Sequence, residues 1–461
     1  MSAERYSAPT AAEPLDAVVT LPGSKSLTNR ELVLSALAAG PSRLRAPLRA
    51  RDTELMADAL RTLGATIDEL SRDGAAEPLG HDEHDTEGGT DAPQDWVIGP
   101  IGVDAAAPEQ SVAAGSVAVS RTVDVGLAGT VMRFVPPIAA LAAGDVTFDG
   151  DAAARERPMA TTIDSLRKLG VEVTAAEGDR LPFTLRGTGR IRGGEIEIDA
   201  SASSQFVSGL LLAAPRFELG LVLRHTGERL PSMPHIEMTI ECLRARGVEV
   251  GSPEPGAWSI APQPIAGRDV AVEPDLSNAA PFLAAALVAG GRVTVPGWPL
   301  LTTQPGGEVP ELFRAFGGRV HRDGDRCRVE AGPRGITGAG SLELGDVTEL
   351  VPTLAALAAL ADSPTTLTGI GHMRGHETDR LAALAAEING LGGEVTELDD
   401  GLAIRPRPLT GGLWRSYGDH RMATTGALLG LVVPGVVIDD LGVVSKTMPE
   451  FRRLWERMLG R

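Results

Sequence analysis

The sequence predicts an α/β protein of two pseudo-symmetric halves, each built from three copies of one unit. Three observations carry that expectation. A phrase made of a helix end, a glycine and an alternating strand recurs six times; six Ala- and Leu-rich helices run between the copies; and 461 residues exceed one comfortable core.

The phrase reads LRTLGATI from Leu60, LRKLGVEV from Leu166, LRARGVEV from Leu243, FRAFGGRV from Phe313 and INGLGGEV from Ile388, with WERMLG from Trp455 closing the chain. Glycine just beyond the last helical turn fits a left-handed C-cap, and alternation after it fits a half-buried strand. The second kind of helix is ELVLSALAAG from Glu31, MRFVPPIAALAAG from Met132, FVSGLLLAAP from Phe206, PFLAAALVAGG from Pro281, LVPTLAALAALA from Leu350 and MATTGALLGLVV from Met422. A helix apolar on nearly all faces must be buried. Each unit therefore has one buried helix, one surface helix and short strands, and its period of about 70 residues excludes short-period solenoids.

The halves are expected to join through two crossings, near Pro22-Gly23 and near Val272 to Pro274. The first domain is then 23–272, with an acidic insertion at 71–109, and the second is 1–22 plus 273–461. The insertion contains GHDEHDTEGGTDAPQD. His81, Asp82, His84 and Asp85 are metal-ligand types, but nothing apolar nearby would order them, so a solvated acidic loop is expected and no metal site.

Composition narrows the function. Aromatic content of 3% leaves few stacking platforms for single-stranded nucleic acid, and a formal charge of -18 opposes a general polyanion-binding surface. Any anionic ligand needs a local positive pocket. Met1 to Leu15 lacks a basic start followed by an apolar core, and the apolar runs Leu350 to Ala361 and Ala423 to Val433 are too short to span a bilayer. Cys242 and Cys327 lack CxxC or His spacing and read as buried thiols. A cytoplasmic monomer without cofactor, nucleic-acid or membrane partner is expected.

Only three lysines stand against forty arginines, and two of them, Lys25 in Gly23-Ser24-Lys25-Ser26 and Lys446 in Ser445-Lys446-Thr447, sit in small polar settings beside helical runs. A lysine ammonium is a compact point charge whose proton can move. In LPGSKSLTNR, Ser24 or Ser26 can cap a helix whose free N–H groups favour an anion, and Ser26 and Arg30 share a face. A Walker A loop needs GxxxxGK[ST], and Ser24 separates Gly23 from Lys25. PDLSNAAPFLAAALVAG from Pro274 keeps the buried helix in the second half without the lysine and arginine, so those cations are not architecture. Other helix starts are decorated too. Arg157 precedes Pro158, a good first helical residue; Ser203, Ser204 and Gln205 precede an apolar run; Glu377 and Arg380 share a face; and Asp419-His420-Arg421 opens another helix.

The segments LPGSKSLTNR, GLAGTVMR, RERPM, SASSQF, HETDRL, GDHRMA and SKTMPEF, in this order across nearly the whole chain, resemble the signatures of the 3-phosphoshikimate 1-carboxyvinyltransferases, or EPSP synthases. The resemblance implies an inverse α/β barrel in each domain, three βαβαββ units apiece, with a cleft between the domains, and the paired crossings form a hinge expected to close that cleft on ligand. It implies transfer of the enolpyruvyl group of phosphoenolpyruvate to the 5-hydroxyl of shikimate 3-phosphate through a tetrahedral ketal. By motif, Lys25, Gly129, Arg157, Gln205, Arg380, Arg421 and Lys446 would hold phosphoenolpyruvate. Lys25, Ser26, Arg30, Ser203, Ser204, Gln205, Ser232, Glu349, His372 and His376 would hold shikimate 3-phosphate. Lys25, Glu349 and Glu377 would be catalytic, since addition and elimination need a general acid and a general base.

This chain departs from the family pattern at several places. Glu349 stands where many members have aspartate, His376 where lysine is common, His372 where asparagine is usual, His235 where tyrosine is found and Leu127 where asparagine is usual. The alternatives are a UDP-N-acetylglucosamine enolpyruvyl transferase, which uses a mobile-loop cysteine that neither Cys242 nor Cys327 suits, and a non-catalytic anion-binding repeat protein.

Overall fold

The computed structural model describes residues 5–70, 76–78, 94–102 and 120–461. His81, Asp82, His84 and Asp85 lie outside the described residues. The chain divides into two compact units, Gly23–Val272 and a composite of Met1–Pro22 with Glu273–Arg461, each with its own apolar core.

In Gly23–Val272 three sheets surround three buried helices, Lys25–Ala36, Gly129–Ala139 and Gln205–Ala213. One sheet runs Arg121–Asp124, Ala143–Asp149, Arg180–Thr188, Glu172–Ala176; its first two strands are parallel and flank the helix Gly129–Ala139 in sequence. A parallel neighbour requires such a crossover, and a helix this apolar is stable only inside. A second sheet, Gly194–Ile198, Leu221–His225, Ala257–Ile260, repeats the plan around Gln205–Ala213. The third has the order Asp269–Ala271, Ser42–Arg45, Trp96–Gly99, Thr66–Leu70, Ala76–Pro78.

The composite unit follows the same scheme. Its sheets are Arg319–Asp323, Arg326–Glu330, Gly291–Pro296, Leu15–Val18; then Gly340–Glu343, Thr365–Thr368, Gly401–Arg405, Glu394–Leu398; then Tyr6–Ser7, Val437–Ile438, Leu413–Trp414. Its buried helices are Leu276–Ala289, Val351–Ala359 and His420–Gly430. The chain leaves the strand Leu15–Val18 of this unit for the helix Lys25–Ala36 of the other, and leaves the strand Asp269–Ala271 for the helix Leu276–Ala289.

All six phrase glycines, Gly64, Gly170, Gly247, Gly317, Gly392 and Gly460, have φ between +72° and +105°, where a side chain would be strained. Three expectations need correction. The third phrase makes no strand after Gly247, because the Gln263 side chain takes both the N–H and the C=O of Glu249 (2.8 and 3.1 Å) that a neighbouring strand would use. The acidic insertion is narrower than 71–109, since Trp96–Gly99 is an inner strand of its sheet with Trp96 and Ile98 buried, and Ala76–Pro78 pairs with Thr66–Leu70. Pro158 is not a first helical residue: the helix begins at Ala160 behind the buried Met159, and the Pro158 carbonyl accepts from Arg133 Nη2 at 3.1 Å.

Candidate active site

Within Gly23–Val272 the starts of the three buried helices are tied together. Ser24 caps Lys25–Ala36, accepting from Leu27 N at 3.5 Å, and Asn29 Nδ2 donates to Thr130 Oγ1 at 2.8 Å at the start of Gly129–Ala139. A methyl group placed on Gly129 would lie 3.1 Å from Gln205 Oε1, 3.1 Å from Arg133 Nη1 and 3.2 Å from Arg157 Nη1. The sequence therefore located Gly129, Arg157 and Gln205 singly, and the fold brings them to one point. Arg157 Nη1 donates to the Leu127 carbonyl at 3.2 Å, a backbone contact that survives the loss of asparagine there. Gln205 Oε1 and Arg157 Nε are buried without a hydrogen-bond partner among the described residues. Two guanidinium groups and helix N-termini on one spot suit an anion.

Lys25 Nζ lies 3.3 Å from Asp52 Oδ2, with the ammonium side chain partly exposed and the carboxylate buried. Arg30 is buried, donating to Ser26 O (2.9 Å), Thr239 Oγ1 (2.8 Å) and His235 O (2.8 Å), with its Cζ 5.3 Å from the Phe134 ring centroid. Two of those acceptors belong to the helix Met233–Ala245, whose N-cap is Ser232. Ser232 holds φ 55°, a strained value for a side-chain-bearing residue, and Arg30 braces the turn that imposes it. Ser203 Oγ accepts from Gln205 N at 3.3 Å, and Ser204 is the buried N-cap of Gln205–Ala213.

The composite unit gathers its helix starts around Glu349. Glu349 Oε2 accepts from Ser277 Oγ at 2.7 Å and lies 3.5 Å from Arg421 Nη2, so residues at the starts of all three buried helices converge. Beside them, Glu377 bridges two cations: Oε2 accepts from Arg380 Nη2 at 2.9 Å and Oε1 from Lys446 Nζ at 3.2 Å. Arg380 also grips the fully buried Asp419 through Nε (2.7 Å) and Nη2 (3.2 Å). Burial works against the Arg380 charge, but the fields of Asp419 and Glu377, the hydrogen bond to Asp419 and the field of Glu349 outweigh it, so its pKa is raised. Arg380 Nη1 lies 3.0 Å from His376 Nδ1. Arginine can only donate, so this Nδ1 carries the lone pair and the ring proton sits on Nε2. The His372 and His376 rings stand edge to face, with centroids 5.9 Å apart.

Asp52, Arg133 and Ser277 escape the sequence reading of the site, which marks Asp419 only as part of a decorated helix start. Asp52 reads as an ordinary first-turn acid of the helix Arg51–Thr62, and Ser277 as a helix-start hydroxyl. Arg133 did carry a signal: a lone arginine inside MRFVPPIAA needs a buried partner or ligand. Cys242 and Cys327 are free and buried, and burial pushes their thiols up, that of Cys327 to about 11. Neither suits the reactive-cysteine enzyme.

The family model described as EPSP synthase (3-phosphoshikimate 1-carboxyvinyltransferase) matches residues 9–87 and 105–455. A 3-phosphoshikimate 1-carboxyvinyltransferase from Kocuria rhizophila is 51% identical over 449 residues, covering 97% of this chain and 94% of the relative. Two solved EPSP synthases from Acinetobacter baumannii share the fold: one has a TM-score of 0.75 at 23% identity, covering 98% of each chain, and the other 0.74 at 22%, covering 99% of this chain and 98% of its own. Matched along nearly all of its length by family model and curated relative alike, the chain belongs to the EPSP synthase family.

Proposed function

We infer that this chain transfers the enolpyruvyl group of phosphoenolpyruvate to the 5-hydroxyl of shikimate 3-phosphate and releases phosphate. The observation that carries the reading is the clustering of cations and carboxylates at helix starts in a chain of net charge -18. Two multiply anionic substrates need such places, whereas a general anion-binding surface would spread its cations.

In this reading Lys25, Gly129, Arg157, Gln205, Arg380, Arg421 and Lys446 hold phosphoenolpyruvate. Lys25, Ser26, Arg30, Ser203, Ser204, Gln205, Ser232, Glu349, His372 and His376 serve shikimate 3-phosphate, Arg30 mainly by bracing Ser232. The 5-hydroxyl adds to the substituted carbon of phosphoenolpyruvate as a proton reaches its methylene; the ketal then loses a methyl proton and the carbon–oxygen bond to phosphate breaks. Glu349 and Glu377 supply the acid and base, and Lys25 can give a proton to the departing phosphate. Phosphate release that requires shikimate 3-phosphate is the test, and folded protein that releases none refutes the reading. We propose a monomer acting in the cytoplasm; light scattering after size exclusion checks the first part.

Two further results are expected. Gly129→Ala pushes against Arg133, Arg157 and Gln205 at once, so KM for phosphoenolpyruvate rises about tenfold or more, as steady-state kinetics will report. Protonating His376 removes the Nδ1 acceptor and sets a cation against Arg380. Comparison of the parent with His376→Asn, whose amide oxygen cannot titrate there, cancels the ligands' own ionisation. Between pH 8 and pH 5.5 substrate affinity should change more steeply in the parent than in the variant, and parallel profiles would exclude His376 as the cause.

A further inference from the structure

The loop Arg415 to Asp419 feeds the helix His420–Gly430 and carries a strained turn held by a buried carboxylate. Tyr417 holds φ 55°, a left-handed conformation unfavourable for an aromatic residue, and is followed by Gly418 at φ 68°. Glu387, on the helix Arg380–Gly390, is buried although no step of the reaction uses it. Its two oxygens are occupied by this loop: Oε1 accepts from Tyr417 Oη at 2.6 Å and from Arg415 Nη1 at 3.3 Å, and Oε2 from Arg415 N at 2.8 Å.

Seven residues before Glu387 on the same helix stands Arg380, two turns and about 10 Å away on the same face. It holds the other end of the loop through Asp419. One helix therefore clamps the loop at two points. Asp419 in turn caps the next helix, its Oδ1 accepting from Arg421 N at 2.8 Å, and Arg421 reaches Glu349. The loop closes the remaining turn with Asp419 N donating to Ser416 O at 2.9 Å and Ser416 N to Asp439 Oδ1 at 2.8 Å. Where Asp419 sits fixes Arg380 on one side and Arg421 on the other, and where it sits depends on the strained turn at Tyr417.

We infer that Tyr417 and Glu387 are positioning residues for the anion-binding cations: the Tyr417 hydroxyl on Glu387 holds the left-handed turn that sets Asp419, and with it Arg380 and Arg421. The inference rests on the reading of those two arginines as ligands of phosphoenolpyruvate. Neither Tyr417 nor Glu387 needs to touch a substrate.

Tyr417→Phe tests it, because the ring stays, only the hydroxyl goes, and Glu387 keeps both Arg415 donors. In the full-length enzyme KM for phosphoenolpyruvate is expected to rise about five- to tenfold, more than KM for shikimate 3-phosphate. A merely structural tyrosine would lower the melting temperature and the active fraction, hence apparent kcat, without moving KM. Unchanged KM for phosphoenolpyruvate therefore overturns the inference, whatever the melting temperature does. Arg421→Gln, measured beside it, separates the two layers. If Arg421→Gln raises that KM and Tyr417→Phe does not, the positioning role alone falls; if Arg421→Gln leaves it unchanged, the ligand reading falls and takes the positioning role with it.

Discussion

Replacing Glu377 by glutamine is expected to lower kcat roughly a hundred- to ten-thousandfold without raising KM for phosphoenolpyruvate. Glu377 spans Arg380 and Lys446, so if phosphoenolpyruvate binds as proposed, its anion and the carboxylate compete for the same two cations. As the anion draws those cations away, the carboxylate loses the partners that favour its charged form and takes a proton more readily. Glutamine has the same shape but cannot carry that proton, and it competes less for the cations. The result is a specific signature, with kcat falling while KM stays level or drops. Arg380 keeps its two bonds to Asp419, so the fold should survive, as circular dichroism will report. A kcat within about tenfold of the parent would remove Glu377 from proton transfer.

The largest expected effect on stability comes from Arg246. Its five N–H groups are all used: Nε and Nη2 donate to Glu31 Oε2 (3.0 and 2.6 Å), Nη1 to Ser42 Oγ (3.2 Å) and Ala266 O (3.0 Å), and Nη2 also to Ser35 Oγ (2.9 Å). Both partners of the ion pair are buried. Arg246→Met leaves Glu31 charged and uncompensated inside Gly23–Val272, which costs about 3–5 kcal/mol. Thermal unfolding should shift down by on the order of 10 °C for a unit of this size. Adding Glu31→Met removes the orphaned charge, so the double variant should recover most of the loss. A double variant no more stable than Arg246→Met would show that the two charges are not coupled.

Arg246 also shows what the sequence could and could not reveal. In the phrase LRARG it occupies the place held by Leu63, Leu169, Phe316, Leu391 and Leu459 in the other copies, four of them buried and the fifth packed against the core. Read by the repeat, position 246 had to be inward; read by residue type, it was a surface arginine, and only Glu31, 215 residues away, reconciles the two. The helices were legible because an apolar surface on all sides leaves a helix only one place to go, and the glycines because left-handed caps admit few other residues. The strand Trp96–Gly99 was missed because four residues of alternation are a faint signal beside a long acidic stretch. Lys25, Arg157 and Lys446 stood out in the sequence because their surroundings were odd. Asp52, which holds Lys25, did not, because an acid at a helix start has a complete local explanation in capping and the helix dipole.

The order of strands within the sheets carries a consequence for how the chain is made. Every described strand of Gly23–Val272 pairs within one continuous stretch, so those strands have all their partners once residue 272 has left the ribosome. The composite unit has no such freedom. Leu15–Val18 must wait for Gly291–Pro296, and Tyr6–Ser7 for Val437–Ile438, far along the chain. Those two strands are thus closed over late, and their pairing edges stand open while an entire neighbouring unit completes itself.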